Sequence, residues 1–359
     1  MNIYHVISNK VWGGGEQYVL ELCRHLIADG HHVELFCRSC PPVVEKLQTL
    51  GVPIHLVALT GVTDVVSGYR MAHVIGKKKG IIHVHNFKDA FPACYAASMA
   101  GKGLVKVIVT RHLVRKGKTS LPYRWLYNKI DKIIFVSALA KKTFLSKNPT
   151  AAVEKMEVVH NSIVSTTPSE VVPLRQSLAI PDDAVLAMYH GRLAQEKGLD
   201  TLLEAMHMAD AQNLHLVLIG NGEEGYVNSL KQQLVQSGLE SRVHFLGFKH
   251  DVTSYIPQAD FGILASIVQE ACPLSCMEYM SQGKAVVTTN NGGQAEYVED
   301  GKNGVLVPPS DAQALALALK KLTENEAYRT ALGEQAREDF ASRFSYDKFY
   351  QKILSIYQD

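Results

Sequence analysis

The apolar positions of this chain follow two alternating rhythms. Short runs of β-branched and aliphatic residues occupy 3–7, 33–37, 54–59, 81–85, 105–110 and 133–137, and six more lie between 184 and 307. Each is nearly continuous and short, as strands covered on both faces are. Between them the spacing becomes helical. Tyr18, Val19, Leu22, Cys23, Leu26 and Ile27 make one stripe that stops at Gly30, and 199–208 reads as another helix. Strand and helix alternate throughout, which predicts two doubly wound α/β units. A chain of 359 residues with 47% hydrophobic content exceeds one usual core and suffices for two. The break between them is expected within 162–183, a stretch rich in Ser, Thr, Pro and Val without periodicity, which would act as a hinge beside a cleft.

Candidate chemistry concentrates in 269–280, where Glu270 and Glu278 stand eight positions apart across the start of a helix expected at about 273–282. Pro273 suits its first turn and Gly283 its end. The free amides at such a start, Ala271, Cys272, Leu274 and Ser275 around Pro273, favour an anion such as a diphosphate. A carboxylate in the preceding loop suits sugar hydroxyls, and one on the helix suits a ribose. Two glutamates near a helix are equally readable as a solvated pair. Upstream, the apolar run 184–188 leads into a loop carrying Gly191, Arg192 and Lys197 ahead of the helix at 199–208. Two cations on a strand-to-helix loop suit a diphosphate leaving group, on which charge builds as a glycosidic bond breaks.

The pair of motifs "GRLAQEKGLD" and "EACPLSCME" resembles the large retaining family of GT-B glycosyltransferases that includes bacterial lipopolysaccharide-core and phosphatidylinositol glycosyltransferases. "LVLIGNGEE", "VHFLGF", "ADFGILAS" and "NNGGQAEYVEDGKNGVLVPPSD" follow in the family's order. Two positions depart from the pattern: Ala271 and Cys272 follow the first glutamate in place of the usual Gly-Phe, and Asn161-Ser162-Ile163-Val164 replaces "NGVD". The resemblance implies an acceptor-side Rossmann-like domain at 1–163 and a nucleotide-sugar domain at 164–343, facing a cleft, with a terminal helix at about 344–359 returning to the first. It implies Arg192 and Lys197 on the phosphates, Glu278 on the ribose and Glu270 on the transferred sugar as a positioning and charge-stabilising group. His112, ending "VTRH", resembles the family's histidine that contacts this sugar. Gly13, Gly14 and Gly15 would close over the diphosphate or acceptor, and His85, Asn161, Gly191, Gly222 and Phe248 join the substrate-contacting set. The expected reaction moves a hexose from a nucleotide diphosphate-sugar, UDP favoured, to a glycan or lipid-linked acceptor with retention, in bacterial cell-envelope polysaccharide or lipopolysaccharide synthesis. No cofactor is expected.

Charge sharpens one part of this picture. Residues 1–165 carry 22 Lys and Arg against 10 Asp and Glu, whereas 166–359 carry 15 against 25. The basic residues are densest at 110–132, where Arg111, Arg115, Lys116, Lys118, Arg124, Lys129 and Lys132 are interleaved with aromatic and leucine side chains. Such a stretch is a solvated face, a nucleic-acid groove or a surface for anionic lipid headgroups. With no nucleic-acid motif present and lipid-linked acceptors implied by the resemblance, an anionic membrane is the expected partner and nucleic acid is not. Six cysteines at irregular spacing and no signal peptide suggest a reducing compartment, and no apolar run is long enough to span a bilayer. The expected location is therefore cytoplasmic, with contact to the inner face of the plasma membrane only peripheral.

Three motifs invite other readings. Gly220-Asn221-Gly222-Glu223-Glu224-Gly225 satisfies the dinucleotide-binding pattern, but Glu223 and Glu224 fall where a pyrophosphate would lie. Cys37 and Cys40 form a lone C-x-x-C, best read as a buried strand end. His83 and His85 share a strand face and would suit a metal, yet no DxD triplet accompanies them, so metal-independent phosphate binding is expected. Two alternatives to a transferase remain: a GT-B nucleotide-sugar epimerase, distinguished by its products without acceptor, and a noncatalytic glycan- or nucleotide-binding protein.

Overall fold

A computed structural model describes residues 1–165 and 171–359, so part of the linker expected at 162–183 lies outside the described residues. Two compact units result: Met1–Asn161 with Asp347–Asp359, and Ser162–Tyr346. The first contains β1 (Asn2–Ile7), α1 (Gly14–Ala28), β2 (His32–Cys37), α2 (Pro41–Gln48), β3 (Ile54–Leu56), α3 (Val65–Ile75), β4 (Gly80–Val84), α4 (Ala90–Ala100), β5 (Val105–Arg111), α5 (Leu121–Lys129), β6 (Lys132–Phe135), α6 (Ala138–Leu145) and β7 (Met156–Val158). The second contains α7 (Leu174–Ser177), β8 (Val185–His190), α8 (Leu199–Met208), β9 (Leu214–Ile219), α9 (Glu224–Ser237), β10 (Val243–Gly247), β11 (Phe261–Leu264), α10 (Leu274–Ser281), β12 (Ala285–Thr289), β13 (Gly304–Val307), α11 (Ala312–Glu324) and α12 (Glu326–Asp339). The last helix, α13 (Tyr346–Gln358), belongs from Asp347 onward to the first unit.

Both sheets are wholly parallel, in the orders β3-β2-β1-β4-β5-β6-β7 and β10-β9-β8-β11-β12-β13. Every residue of β8 and β9 is buried, which is why these strands read as unbroken apolar runs. In each sheet the order reverses at one place, between β1 and β4 and between β8 and β11. Chain segments leaving neighbouring strands there diverge and open a crevice at the carboxyl ends.

The structure corrects several sequence boundaries. The run at 54–59 is a strand only to Leu56 because Leu59 has a left-handed φ of 50°. Arg38 also takes the Ala58 and Leu59 carbonyls, and Ser67 Oγ accepts from both amides. His85 and Ser137 lie just past strand ends. Pro273, expected inside α10, is its extended N-cap residue, with ψ of 118°. No helix among the described residues is long and apolar enough to cross a membrane.

Candidate active site

In the second unit, the loop after β8 meets the loop after β11 at the sheet's reversal point. Gly198 makes that approach possible: it opens α8 with φ of 69°, and a Cβ there would lie 2.1 Å from the Ala265 carbonyl oxygen. Ile267 N–H donates to the Glu196 carbonyl at 3.0 Å, tying the loops together. Lys197 is thereby delivered to Glu270, its Nζ 2.5 Å from Oε1, and Ser266 Oγ donates to the same oxygen at 2.6 Å. The Lys197 and Glu270 side chains are only 20% and 18% exposed, so this pair is poorly screened by solvent. Loop 289–293 braces the acid from behind: Thr289 Oγ1 donates to the Ser266 carbonyl, Asn291 Nδ2 to Ile267 and Gly293 N–H to Glu270. One Glu270 oxygen is thus anchored, while Oε2 has no hydrogen bond among the described residues.

Glu278 is held in a similar way by a different partner. Gly262 on β11 leaves space for the Tyr279 ring, which a Cβ would meet at 2.2 Å. Tyr279 Oη can therefore reach across the sheet end and donate to the Met188 carbonyl at 2.8 Å. With its own proton directed at Met188, the phenol oxygen is left to accept from Nδ1–H of His190 at 2.7 Å. His190 Nε2 then faces Glu278 Oε2. Arg192 is placed differently: its side chain is 65% exposed and its guanidinium bonds Glu196.

The remaining positions in this unit are less closely joined. Gly191 follows β8, and Gly222 forms an isolated bridge with Leu193 between the β8 and β9 loops. Glu224 opens α9, so the glycine-rich turn serves this loop pairing. Ala271, Cys272 and Pro273 lead into α10, Leu274 and Ser275 begin it, and Tyr297 Oη donates to the Pro273 carbonyl. Phe248 lies past β10, 53% exposed, with its ring against His250.

In the first unit, the carboxyl ends of β1, β4 and β5 carry a histidine cluster. His112 Nε2 is 3.4 Å from His85 Nδ1, and His85 Nε2 is 3.0 Å from His5 Nδ1. His83 sits beside them, bonded to Tyr357 Oη of α13 at 2.6 Å and to Thr110 Oγ1 at 2.7 Å. Burial lowers the pKa of each, His5 to about 3 and His112 to about 4, so all four are neutral imidazoles at pH 7. His5, His83 and His85 each bring a ring nitrogen within 4.8 Å of the others, a spacing a metal would tolerate. The hydrogen bonds just described engage both nitrogens of His83 and His85 but only one each of His5 and His112, whose Nε2 and Nδ1 are buried without a partner among the described residues.

A cavity of about 470 Å³ opens beside His85 and His112, lined also by Gly15 and Glu16 of α1 and by Lys88, Arg111, Arg115, Lys116 and Lys118. Gly13 precedes it as the extended N-cap of α1, and Gly14 begins that helix. Asn161 closes the unit, buried, with Oδ1 unpartnered among the described residues. The basic stretch at 110–132 is therefore divided: Arg111, Arg115, Lys116 and Lys118 face this cavity, whereas Lys132 pairs with Glu157 and Asp359.

Two family models match this chain in succession: Glycosyltransferase Family 4 at residues 12–165 and Glycosyl transferases group 1 at 173–339, together spanning most of its length. The chain belongs to this glycosyltransferase family. Members are retaining hexosyltransferases. The lipopolysaccharide core biosynthesis glycosyltransferase LpsE of Rhizobium meliloti is 30% identical over 51% of this chain and 52% of its own length, so the match spans about half of that protein. An uncharacterised glycosyltransferase of Methanocaldococcus jannaschii is 24% identical over 97% of this chain and 95% of its own. Among solved structures, Anabaena Alr3699/HepE in complex with UDP-glucose is similar in fold, with a TM-score of 0.84 and 22% identity, covering 99% of this chain and 98% of that one.

Sequence reasoning on this glycosyltransferase missed Ser266, His190 and Tyr279. The last two had a signal, since His190 directly precedes Gly191-Arg192 and Tyr279 directly follows Glu278. Ser266 had none, because its partnership with Glu270 depends on the loop that Gly198 permits.

Proposed function

We propose that this glycosyltransferase transfers a hexose from a UDP-sugar to a glycan or lipid-linked acceptor in cell-envelope polysaccharide or lipopolysaccharide synthesis, at an anionic membrane surface. The observation that carries the donor half is the Lys197–Glu270–Ser266 constellation at the reversal point of the second sheet. The neighbour in complex with UDP-glucose supports the choice of donor, and LpsE supports the pathway class.

The chemistry follows from charge. As the sugar C1–O bond to the diphosphate breaks, negative charge grows on the departing phosphate oxygen. Lys197, Arg192 and the amides at the start of α10 stabilise it. Glu270, fixed through one oxygen, offers the other to the sugar hydroxyls and stabilises the cationic ring. The acceptor oxygen bonds to C1 on the face the leaving group vacates, and its proton passes to the departing phosphate. Glu278 holds the ribose, with His190 setting its orientation.

Two assays test this reading. Thermal stabilisation by UDP, GDP, ADP and their glucose conjugates should single out the uridine series, a ligand at a hundred times its Kd adding about 2.7 kcal/mol. Transfer from the radiolabelled donor should survive EDTA, since cations of the protein neutralise the diphosphate. Loss in EDTA with rescue by magnesium or manganese would contradict the phosphate assignment.

A further inference from the structure

The cavity of the first unit is far more cationic than a neutral glycan needs. Lys88, Arg111, Arg115, Lys116 and Lys118 line it, and none of the five has an ion-pair partner among the described residues. The acid on its wall, Glu16, is buried, and burial raises its carboxyl pKa, which weakens it as a counter-charge. Arg111 is fixed for service: its guanidinium carbon lies 5.0 Å from the Phe87 ring and 5.2 Å from Phe144, and its terminal nitrogen donates to the Arg115 carbonyl at 2.6 Å. Its Nε, buried, has no hydrogen-bond partner. A buried, unsatisfied guanidinium donor is costly.

We propose that this cavity binds a phosphoryl group on the acceptor. The proposal deepens the acceptor half of the function above and rests on reading the first unit as the acceptor side. A single carboxylate would leave most of the positive charge uncompensated. A phosphomonoester carries about −1.5 to −2 at pH 7 and presents three acceptor oxygens, which suits several converging cations. The volume of about 470 Å³ suits a ligand the size of a sugar phosphate. His85 and His112 line the same cavity, so the phosphoryl group anchors the acceptor within reach of the residues expected to meet the transferred sugar. The phosphate source is a soluble sugar phosphate or a lipid headgroup ending in a phosphomonoester, which share this chemistry.

The test is calorimetric titration of the full chain with UDP saturating, so that phosphate-binding groups of the donor site are occupied. The probes are glucose 6-phosphate, glucose and phosphatidic acid vesicles, applied to wild type and to the exposed pair Arg115→Ser/Lys116→Ser. Wild type should bind glucose 6-phosphate or the vesicles at least tenfold more tightly than glucose, and the double variant should lose at least tenfold of that affinity. Its Tm and UDP affinity should remain those of wild type. Preference for the sugar phosphate identifies a soluble acceptor, and preference for vesicles a lipid-borne one that weakens as salt rises. Equal binding of glucose and glucose 6-phosphate without vesicle binding, binding unchanged in the variant, or no binding of any probe overturns the proposal. Failure of UDP itself to bind is seen separately and bears on the donor reading instead.

Discussion

Glu270→Gln is expected to lower kcat by roughly 100- to 1000-fold, about 2.7–4 kcal/mol of transition-state stabilisation, with little change in donor KM. The amide keeps the size of the side chain and leaves Lys197 and Ser266 with an acceptor, but removes the charge that faces the reacting sugar. Glu278→Ala should do the reverse, raising donor KM about tenfold and leaving kcat within a few-fold, because a ribose contact is the same in ground and transition states. Steady-state kinetics on purified variants checks both. Equal effects on KM alone would refute the division of labour between the two acids.

The second large effect is on stability. His5, His83, His85 and His112 are buried and neutral, with pKa values below the unfolded value near 6.5. A group whose folded pKa is lowered contributes stability above its unfolded pKa and loses it as pH falls toward the folded value. The first unit should therefore lose stability between about pH 6.5 and 4.5, above the usual carboxylate range. Asp89 acts oppositely: burial raises it to about 7, so its contribution is full below its ordinary value of 3.8 and is lost progressively as pH rises from there to about 7. Calorimetry should show the first unit's transition falling from pH 6.5 to 4.5, and Asp89→Asn, which removes the opposing contribution, should make that fall steeper. A melting temperature unchanged from pH 6.5 to 4.5 would contradict the histidine account.

The legible part of the fold was its buried parallel strands, since burial on both faces writes itself as an apolar run. β7 escaped notice because Met156-Glu157-Val158 is three residues long and carries a charge at its centre. β3 was read too long because the chemistry that ends it comes from Arg38 and Ser67, distant in sequence. At the candidate site, the acids and cations stood out as spaced motifs. Their mutual bonds did not, because the Lys197–Glu270 contact spans 73 residues and the His190–Glu278 contact 88. Arg111, Arg115, Lys116 and Lys118 likewise looked like part of one continuous face until the fold separated them from Lys132.

The central claim is that the sugar donor sits on the strand ends of the second unit. Hydrogen exchange with and without saturating UDP-glucose tests it without any substitution, because a bound ligand slows the local opening of the segments that hold it. The account predicts protection in peptides covering 190–198 and 266–278. Protection confined to the first unit, or none at all, would contradict it.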